Sequence, residues 1–599
     1  MLYLNSFYPI QKFRLFAVFL LCFLSFQSIS WAVDSPSDQY PLEDDWWLPD
    51  WVTTSSNSGF YHTNNTADAT GIKIPWKEVN PSEGVYDWTY IEKQAKAAST
   101  DKLWVRFFAS DVNHVPSWVI KKYNIPSYRY LWPDSPYYDI NYQINSEGNF
   151  IPIWNTNVQN EYRKMLHALA KHKLATSGRI VFAYIPHGWR WSEYSFKWLT
   201  EKIKNGTTPQ EFLDWFSVML EDYATVFRGD YGKLVYTGRG EAEWMEWAPA
   251  RIGWTNAKYS PYWNAWNDAI NSADGGSVLS DMVIKKGGGA RDGFTEQFNR
   301  YGNIPDWGTT LITYDDGYRY SVVDDTNPLI ADKSRVFATE NEDFSSLWKP
   351  VSSFDKYYYW KMAHLCALKL RMNWIFPKWN EAAERPKLTA WLKLSLGKKA
   401  AESPDAWVAL RQYFPGKGDK KDNVRNFERW LTHRNVRPDG MTKPTYRIDY
   451  PASYAKSLNG NSDTSAWSYE ALRTDIASGS KYMYFSVDDD FMSPGSHRVQ
   501  IKVTWRDDAV GTWHVDYDAA DGSIYKRCNV SAKGDGKWKT STLTIKDAGF
   551  ANRQVSGNDF RLVSDGQTDL VVRFVRVIRL DPPTDQKILT PPSKLRVLN

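Results

Sequence analysis

The sequence predicts a (β/α)8 barrel followed by a C-terminal antiparallel β-sandwich. Strand-like and amphipathic helical segments alternate from about residue 50 to residue 385, which is typical of βαβ units around a parallel sheet. Short strands with alternating apolar and polar residues then follow between Gly, Asp and Asn turns, as in a sandwich. The chain of 599 residues is also longer than one hydrophobic core usually spans.

Eight segments are predicted as barrel strands, and this number suits a closed barrel. They are Gly59–His62, Gly71–Pro75, Leu103–Phe108, Ile180–Ile185, Leu234–Tyr236, Met282–Lys285, Val336–Ala338 and Met372–Phe376. Leu311–Tyr314 is predicted as an inserted hairpin; as a barrel strand it would shift the strand numbering after the sixth by one. Thr208–Glu211 reads as a capping box with Pro209 at the first helical position, and Asn157 as the N-cap of an earlier helix.

The predicted domain boundaries follow from changes in the sequence pattern along the chain. We expect the barrel to span 33–385, a basic helical connector 386–440, the sandwich 441–581 and a Pro-rich tail 582–599. In His497–Trp505 the apolar residues occupy every second position, so one strand face is predicted to lie in the core. Trp467, Trp505, Trp513 and Trp538 are candidates either for a binding platform or for that core.

The first 32 residues are predicted to be a secretory signal peptide. Lys12 and Arg14 precede the apolar run Leu15–Phe26, which is too short to span a bilayer, and a small-residue cleavage site ends near Ala32. Leu21 before Cys22 disfavours a lipoprotein signal, which requires a small residue there. The pattern indicates a secreted or periplasmic bacterial protein without a membrane span.

Composition narrows the function classes. After cleavage only Cys366 and Cys528 remain, in different predicted domains, so we expect free thiols and no cysteine-ligated metal. A net charge of only +4 argues against a nucleic-acid binder. The 31 Trp residues, in a chain that is 16% aromatic, suggest carbohydrate, because sugar rings present C–H faces that stack on indoles, although core packing accounts for most of them. Oligomeric state stays open.

Catalytic side chains are expected at the carboxyl ends of the barrel strands. Glu193 follows the fourth predicted strand and Glu340 the seventh, with Glu342 as the alternative to Glu340. Two carboxylates about 5–5.5 Å apart give retention of configuration, and a wider gap gives inversion. Trp189 and Trp191 would raise the pKa of an acid at position 193 by desolvation.

Further side chains near these strand ends are predicted to bind substrate. They are Trp76, Arg106, His187, Trp189, Trp191, Arg239, Glu241, Lys285, Tyr314, Glu342 and Trp374. The aromatic members could instead pack beneath the rim. The surplus of basic residues at these ends, which includes Lys73, Lys286 and Arg291, favours an anionic polysaccharide, or else these residues neutralise nearby carboxylates. No cofactor and no metal is expected.

The segment Pro75–Trp88, PWKEVNPSEGVYDW, resembles the W-x-x-V-x-P-x-E-G-x-Y-D-W segment after the second strand of many clan A glycoside hydrolases, notably β-galactosidase-like ones. The resemblance implies a (β/α)8 barrel with Glu193 as general acid/base and Glu340 as nucleophile. Ser192 departs from the Asn that many clan members place before the acid/base. With the basic residues, the chain looks similar to enzymes that act on red-algal sulfated galactans of the carrageenan or furcellaran type.

Two other functions fit parts of the pattern. Ser192 would suit a catalytically inactive barrel that only binds carbohydrate. A polysaccharide lyase would need a base beside a neutralised uronate, and Tyr314 with Arg319 and Lys285 are candidates. In the sandwich, Asp488–Asp490 could chelate calcium or form a solvated loop.

Overall fold

Eight parallel strands close into a barrel in the computed structural model of the protein. It describes residues 46–62, 67–98, 100–129, 149–185, 208–237, 278–292, 309–340, 364–377, 386–414, 424–449 and 467–583. In chain order the first twelve strands are β1 (Gly59–His62), β2 (Ala69–Pro75), β3 (Leu103–Phe108), β4 (Tyr128–Arg129), β5 (Asn149–Phe150), β6 (Ile180–Tyr184), β7 (Leu234–Thr237), β8 (Gly289–Asp292), β9 (Thr309–Thr313), β10 (Arg319–Val323), β11 (Phe337–Glu340) and β12 (Trp374–Phe376). Around the barrel the order is β1, β2, β3, β6, β7, β8, β11 and β12.

Helices surround the barrel. They are α1 (Trp76–Val79), α2 (Thr89–Ala97), α3 (Ser117–Lys122), α4 (Thr156–Leu169), α5 (Lys173–Thr176), α6 (Pro209–Val226), α7 (Val278–Lys285), α8 (Pro328–Ala331) and α9 (Pro386–Ser395), with further helical residues at 364–369. The capping box at Thr208 is confirmed, whereas the N-cap of α4 is Asn155 and not Asn157. No helix in the described ranges is long and apolar enough to cross a membrane.

Seven of the eight predicted barrel strands are confirmed, and the sixth is wrong. Met282–Lys285 belongs to helix α7, whose Val283 is buried in the core between helices and barrel. The sixth strand is β8, which begins at Gly289. A Cβ atom at Gly289 would lie 2.0 Å from the Val336 carbonyl oxygen, so the close approach of β11 requires glycine. Gly289, the last of three consecutive glycines that would suit a loop, is therefore the first residue of a strand.

The hairpin predicted at Leu311–Tyr314 is confirmed. Strands β9 and β10 pair antiparallel with each other and take no part in the barrel. The numbering of the barrel strands therefore stands, with β11 as the seventh. One edge of the hairpin, β10, pairs with strand β14 (Val424–Arg429) of the C-terminal region.

The C-terminal region forms two antiparallel sheets packed face to face. Its strands are β13 (Asp405–Phe414), β14, β15 (Leu431–Arg434), β16 (Lys443–Asp449), β17 (Trp467–Arg473), β18 (Tyr482–Val487), β19 (His497–Arg506), β20 (Val510–Tyr517), β21 (Lys526–Lys533), β22 (Trp538–Ala548), β23 (Phe560–Ser564) and β24 (Val571–Arg579). A nine-stranded sheet contains β9 and β10, and a five-stranded sheet has the order β15, β18, β23, β20, β21. The alternation in β19 buries Val499, Ile501, Val503 and Trp505 between them, as predicted.

The helical connector predicted for 386–440 is wrong in most of its length. Among the described residues of this segment, 386–414 and 424–440, only α9 and a short turn are helical, and β13, β14 and β15 follow. Strand β13 pairs with β24, while Ala406, Val408 and Leu410 face the core of the sandwich. Packing against neighbouring strands overrides the local helical preference of this basic segment.

A buried ion pair within the sandwich also binds helix α9 of the barrel. Arg576 of β24 donates from Nε and Nη2 to Asp405 Oδ2 of β13 at 3.0 and 2.8 Å. The same oxygen accepts from Trp391 Nε1 of α9 at 2.7 Å, and the Trp391 ring stacks on Trp46 at 4.5 Å between centroids. All four side chains are buried, so helix α9 and two sandwich strands meet at one carboxylate.

The ion pair predicts a large cost for Asp405→Asn. The change leaves the Arg576 charge buried without its counter-ion, so we expect the free energy of unfolding to fall by about 3–5 kcal/mol. Urea denaturation followed by tryptophan fluorescence measures it. The matched control is Asp581→Asn, because Asp581 pairs with Arg498 at 3.0 Å with both side chains more than half exposed. That change should cost less than about 1 kcal/mol, and equal losses in both variants would contradict the prediction.

Candidate active site at the barrel mouth

Aromatic side chains fill the interior of the barrel. The Tyr61 ring meets Phe182 edge-on at 5.4 Å between centroids, and Trp104 stacks on Phe182 at 6.0 Å. Trp374 lies 5.6 Å from the same Phe182 ring. The barrel is therefore a packed core without a pore, and a substrate is expected at one of its ends.

Two arginines flank one tyrosine nearer the carboxyl ends of the strands. The Arg106 Cζ atom lies 5.3 Å from the centroid of the Tyr184 ring, and the Arg291 Cζ atom 5.4 Å. Register places Arg106 of β3 beside Tyr184, the last residue of β6. Both guanidinium groups are buried, so they lie in surroundings of low dielectric constant, where charges interact strongly.

A chain of hydrogen bonds leads from this tyrosine to the seventh strand. The Tyr184 hydroxyl donates to the Tyr61 hydroxyl at 3.0 Å. The Tyr61 hydroxyl in turn donates to the carbonyl oxygen of Thr339 at 3.4 Å. Burial raises the pKa of Tyr61 well above its ordinary value, a rise that Tyr184 increases and that the Arg291 and Arg106 charges oppose. Tyr61 therefore stays protonated and fixes the carbonyl group immediately before Glu340.

Glu340 is the last residue of β11, and its Cα atom pairs with that of Phe376, the last residue of β12. The expected position at the carboxyl end of the seventh strand is thus confirmed, while its catalytic role stays a prediction. Seven further candidates lie outside the described residues: His187, Trp189, Trp191, Glu193, Arg239, Glu241 and Glu342. In sequence, Glu193 follows β6, the fourth barrel strand, and Glu241 follows β7, the fifth.

Trp76 is a core residue and not a sugar-binding one. Its side chain is fully buried in the layer between barrel and helices, where it meets Tyr162 of α4 edge-on at 5.0 Å. Its Nε1 donates to Asn80 Oδ1 at 3.2 Å. The segment that resembles clan A enzymes thus positions helix α1 after the second strand, but its first tryptophan offers no surface to a ligand.

Trp374 and Lys285 also lie away from the barrel mouth. Trp374 is the first residue of β12, and Lys102, which precedes β3, places its Nζ atom 5.9 Å from the Trp374 ring. Lys285 is exposed at the end of α7, the helix that leads into the start of β8. Because the strands are parallel, both residues lie at the amino end of the barrel, opposite the expected site.

Tyr314 belongs to the turn of the β9–β10 hairpin and contacts the sandwich. Arg434 of β15 lies with its Cζ atom 4.5 Å from the Tyr314 ring, and the Tyr320 ring is 5.3 Å away. Tyr314 and Lys285 thus occupy different layers of the molecule, so the lyase constellation predicted from sequence is not assembled. Among the predicted binding residues that the structure describes, Arg106 is the one that lies inside the barrel towards the carboxyl ends of the strands.

Tyr61, Tyr184 and Phe376 were missed as site residues by sequence reasoning. Each lies inside a predicted strand, where an aromatic residue is usually counted as core. The signal that could have found them is the two-residue period, because Tyr184 and Phe376 are the last inward-facing aromatics of their strands. Inward position together with closeness to the strand end marks the mouth of a barrel.

Three of the four tryptophans considered for a binding platform in the sandwich are core residues, and the Asp488 and Asp489 carboxylates make hydrogen bonds within the protein. Trp505, Trp513 and Trp538 are buried, and the side chain of Trp467 lies outside the described residues. Asp488 Oδ1 accepts from the backbone of Asp490, and Asp489 accepts from Asn552 Nδ2 at 3.0 Å. Within the described ranges no cluster of three or more candidate metal ligands occurs, and Cys366 and Cys528 are free thiols.

Comparison with known proteins gives only distant similarities. No family model and no curated protein matches the chain. Among solved structures, it is similar to a family 44 endoglucanase from Clostridium thermocellum, at 9% identity over 87% of this chain and 97% of that one, with a TM-score of 0.27. An isomalto-dextranase from Arthrobacter globiformis T6 has 10% identity over 85% and 89%, with a TM-score of 0.24. The C-terminal CBM6 of a laminarinase from Zobellia galactanivorans has 11% identity over 25% and 99%, with a TM-score of 0.13. These TM-scores carry no conclusion about function.

The burial of Trp76 predicts a stability defect rather than a binding defect. Trp76→Ala leaves a large cavity under α1, so we expect the free energy of unfolding to fall by about 3–5 kcal/mol. Urea denaturation measures the loss. The control is Trp47→Ala, because Trp47 is 43% exposed, and that change should cost less than about 1 kcal/mol. A Trp76→Ala protein of unchanged stability would show that the indole is not part of the core.

Proposed function

We propose that the protein is a retaining glycoside hydrolase with Glu340 as nucleophile and Glu193 as general acid/base. The observation that carries the proposal is the position of Glu340 at the carboxyl end of the seventh strand of a closed eight-stranded parallel barrel. The segment Trp76–Trp88 follows the second strand, as in the clan A enzymes that it resembles. Glu193 follows the fourth strand in sequence, which is the clan's place for the acid/base.

The surroundings of β11 support an anionic nucleophile. Ala338, two residues before Glu340 on the same strand, lies in the barrel interior with Tyr184. Arg106 and Arg291 flank that tyrosine, and positive charge nearby favours the ionised form of a carboxyl group. A nucleophilic carboxylate must be ionised when substrate binds.

The proposed reaction has two steps. Glu193 donates a proton to the leaving glycosidic oxygen while a Glu340 oxygen attacks the anomeric carbon, so that the glycosidic bond breaks and a glycosyl-enzyme forms. Glu193 then takes a proton from water, which attacks the same carbon and releases the Glu340 carboxylate. Each carboxyl group returns to its starting protonation state, and configuration at the anomeric carbon is retained.

We propose an anionic polysaccharide, such as a sulfated galactan of the carrageenan or furcellaran type, as the substrate. Arg106 and Arg291 support this choice, because the planar guanidinium fork binds sulfate or carboxylate oxygens in pairs. The proposal includes export from the cell, which rests on the signal-like pattern of residues 1–32, outside the described ranges.

A reducing-end assay against sulfated galactans, neutral galactans and uronans tests the function. We expect saturated reducing ends from a sulfated galactan, with retention of anomeric configuration measured by proton NMR. Unsaturated uronates that absorb in the ultraviolet would identify a lyase. A binding barrel without catalysis would release no ends from any of these polymers.

Glu340→Gln tests the nucleophile. Amide oxygen cannot replace the carboxylate in forming the glycosyl-enzyme, so we expect kcat to fall by at least about 10³-fold with the fold intact by circular dichroism. The comparison variant is Glu342→Gln, two residues away; Glu342 is a predicted binding residue, so its loss of kcat should be much smaller than that of Glu340→Gln. The reverse result, with loss only in Glu342→Gln, would assign the nucleophile to Glu342.

Glu193→Gln tests the acid/base. The glutamine side chain can neither donate nor accept the proton, so kcat/KM should fall by about 10²–10⁴-fold. The pH profile should lose its alkaline limb, because that limb reports the deprotonation of the general acid. A variant that keeps the alkaline limb would require another residue as the acid.

A further inference from the structure

A row of polar side chains crosses the outer face of the five-stranded sheet. Strand register aligns Tyr484 of β18 with Arg561 of β23, Arg561 with Asp516 of β20, and Asp516 with Arg527 of β21. The alternate residues, such as Phe485, Leu562 and Val515, are buried in the core of the sandwich. The row therefore lies on the side of the sheet that faces away from the core.

Asp516 binds two arginines at once. Arg527 Nε donates to Oδ1 at 2.9 Å, and Arg561 Nη2 donates to Oδ2 at 3.0 Å. The Asp516 side chain is 0% exposed, whereas Arg527 is 52% and Arg561 15% exposed. The two positive charges share one buried negative charge, and Arg527 is the member of this cluster that solvent reaches most.

Acidic as well as basic groups border the row, so its net charge is close to zero and positive charge reaches solvent mainly at Arg527. His514 Nδ1 lies 2.8 Å from Asp565, and desolvation lowers the pKa of His514. The Tyr484 hydroxyl lies 3.4 Å from Asp439 Oδ1, and the Lys481 amino group lies 5.2 Å from the Tyr482 ring.

Two tyrosines flank Arg561 and extend the surface. The Arg561 Cζ atom lies 4.1 Å from the Tyr482 ring and 4.2 Å from the Tyr525 ring, which is 41% exposed. Ile524 is also exposed beside Tyr525, and its carbonyl oxygen accepts from Gln554 Nε2 at 2.9 Å. Gln554 also donates to the Asp516 carbonyl oxygen at 3.0 Å, which ties the loops on both sides to the sheet. Exposed aromatic and aliphatic groups beside fixed donors are typical of a ligand surface.

We propose that this surface, formed by Tyr482, Tyr525, Arg527 and Arg561, binds a chain of an acidic polysaccharide. The sugar rings would pack their C–H faces on the tyrosine rings, and Arg527 would donate to carboxylate or sulfate oxygens. The five-stranded sheet shares no strand with the barrel, so the surface is a second binding place for polymer. The inference extends the proposed function, from which it takes the identity of the polymer.

Affinity gel electrophoresis of the full chain tests this binding. Gels contain carrageenan, alginate or neutral agarose at graded concentrations, and Glu340→Gln protein separates binding from hydrolysis. We expect carrageenan or alginate to retard the protein and agarose to have little effect, with retardation weakened by added salt. Tyr525→Ala and Arg527→Gln should each weaken binding about tenfold, a change of 1.4 kcal/mol.

Tyr446→Ala is the matched control, because Tyr446 stacks on Arg506 at 4.4 Å on the other sheet. It should bind like the parent protein. Equal retardation of all variants, no retardation in any gel, or retardation by agarose alone would overturn the inference. A Glu340→Gln protein that still hydrolysed the polymer would overturn the proposed nucleophile and leave this binding test unaffected.

Discussion

The carboxylate of Asp405 is the constraint on which the joining of barrel and sandwich depends. Removing an aspartate and an arginine from water is costly, and the attraction between them compensates only when hydrogen bonds are well placed. Here Asp405 Oδ2 accepts hydrogen bonds from Nε and Nη2 of Arg576 and from the indole nitrogen of Trp391. Since Trp391 belongs to α9 of the barrel, this polar contact fixes where the helix lies on the nine-stranded sheet.

Strand pairing reinforces the same interface on the hairpin side. The β9–β10 hairpin leaves the chain between the sixth and seventh barrel strands and adds to the sandwich sheet through β14. Arg434 lies 3.8 Å from the Tyr320 ring of the hairpin, and Lys369 Nζ donates to the Ser321 carbonyl oxygen at 2.6 Å. The sandwich is therefore built into the barrel through a shared sheet.

Much of this fold could be predicted from local sequence, and the failures have physical causes. Buried strands such as Leu103–Phe108 are recognisable because each stands as a short apolar run between turns. Strand β8 is not recognisable from its sequence, because its close approach to β11 requires glycine at a position where an apolar side chain would have indicated a strand. Strand β13 is misread because its pairing with β24 joins residues far apart in sequence. In the site, the position of Glu340 follows from the count of barrel strands. Whether Trp76 and Trp374 face a substrate depends on the direction of each side chain, which a count of strands does not fix.

The aromatic residues show why residue counts are poor evidence of carbohydrate binding. Trp46, Trp76, Trp104, Trp391 and Trp407 are buried, and large indoles in these positions fill the barrel layers and the interface between barrel and sandwich. A sugar needs an exposed ring held rigidly, and Tyr525 meets both conditions because Arg561 stacks on it beside a fixed carboxylate. In the part of the chain that the structure describes, these five tryptophans therefore serve a two-part core with a large internal interface. Carbohydrate contact in the sandwich is better sought at half-exposed tyrosines next to arginines.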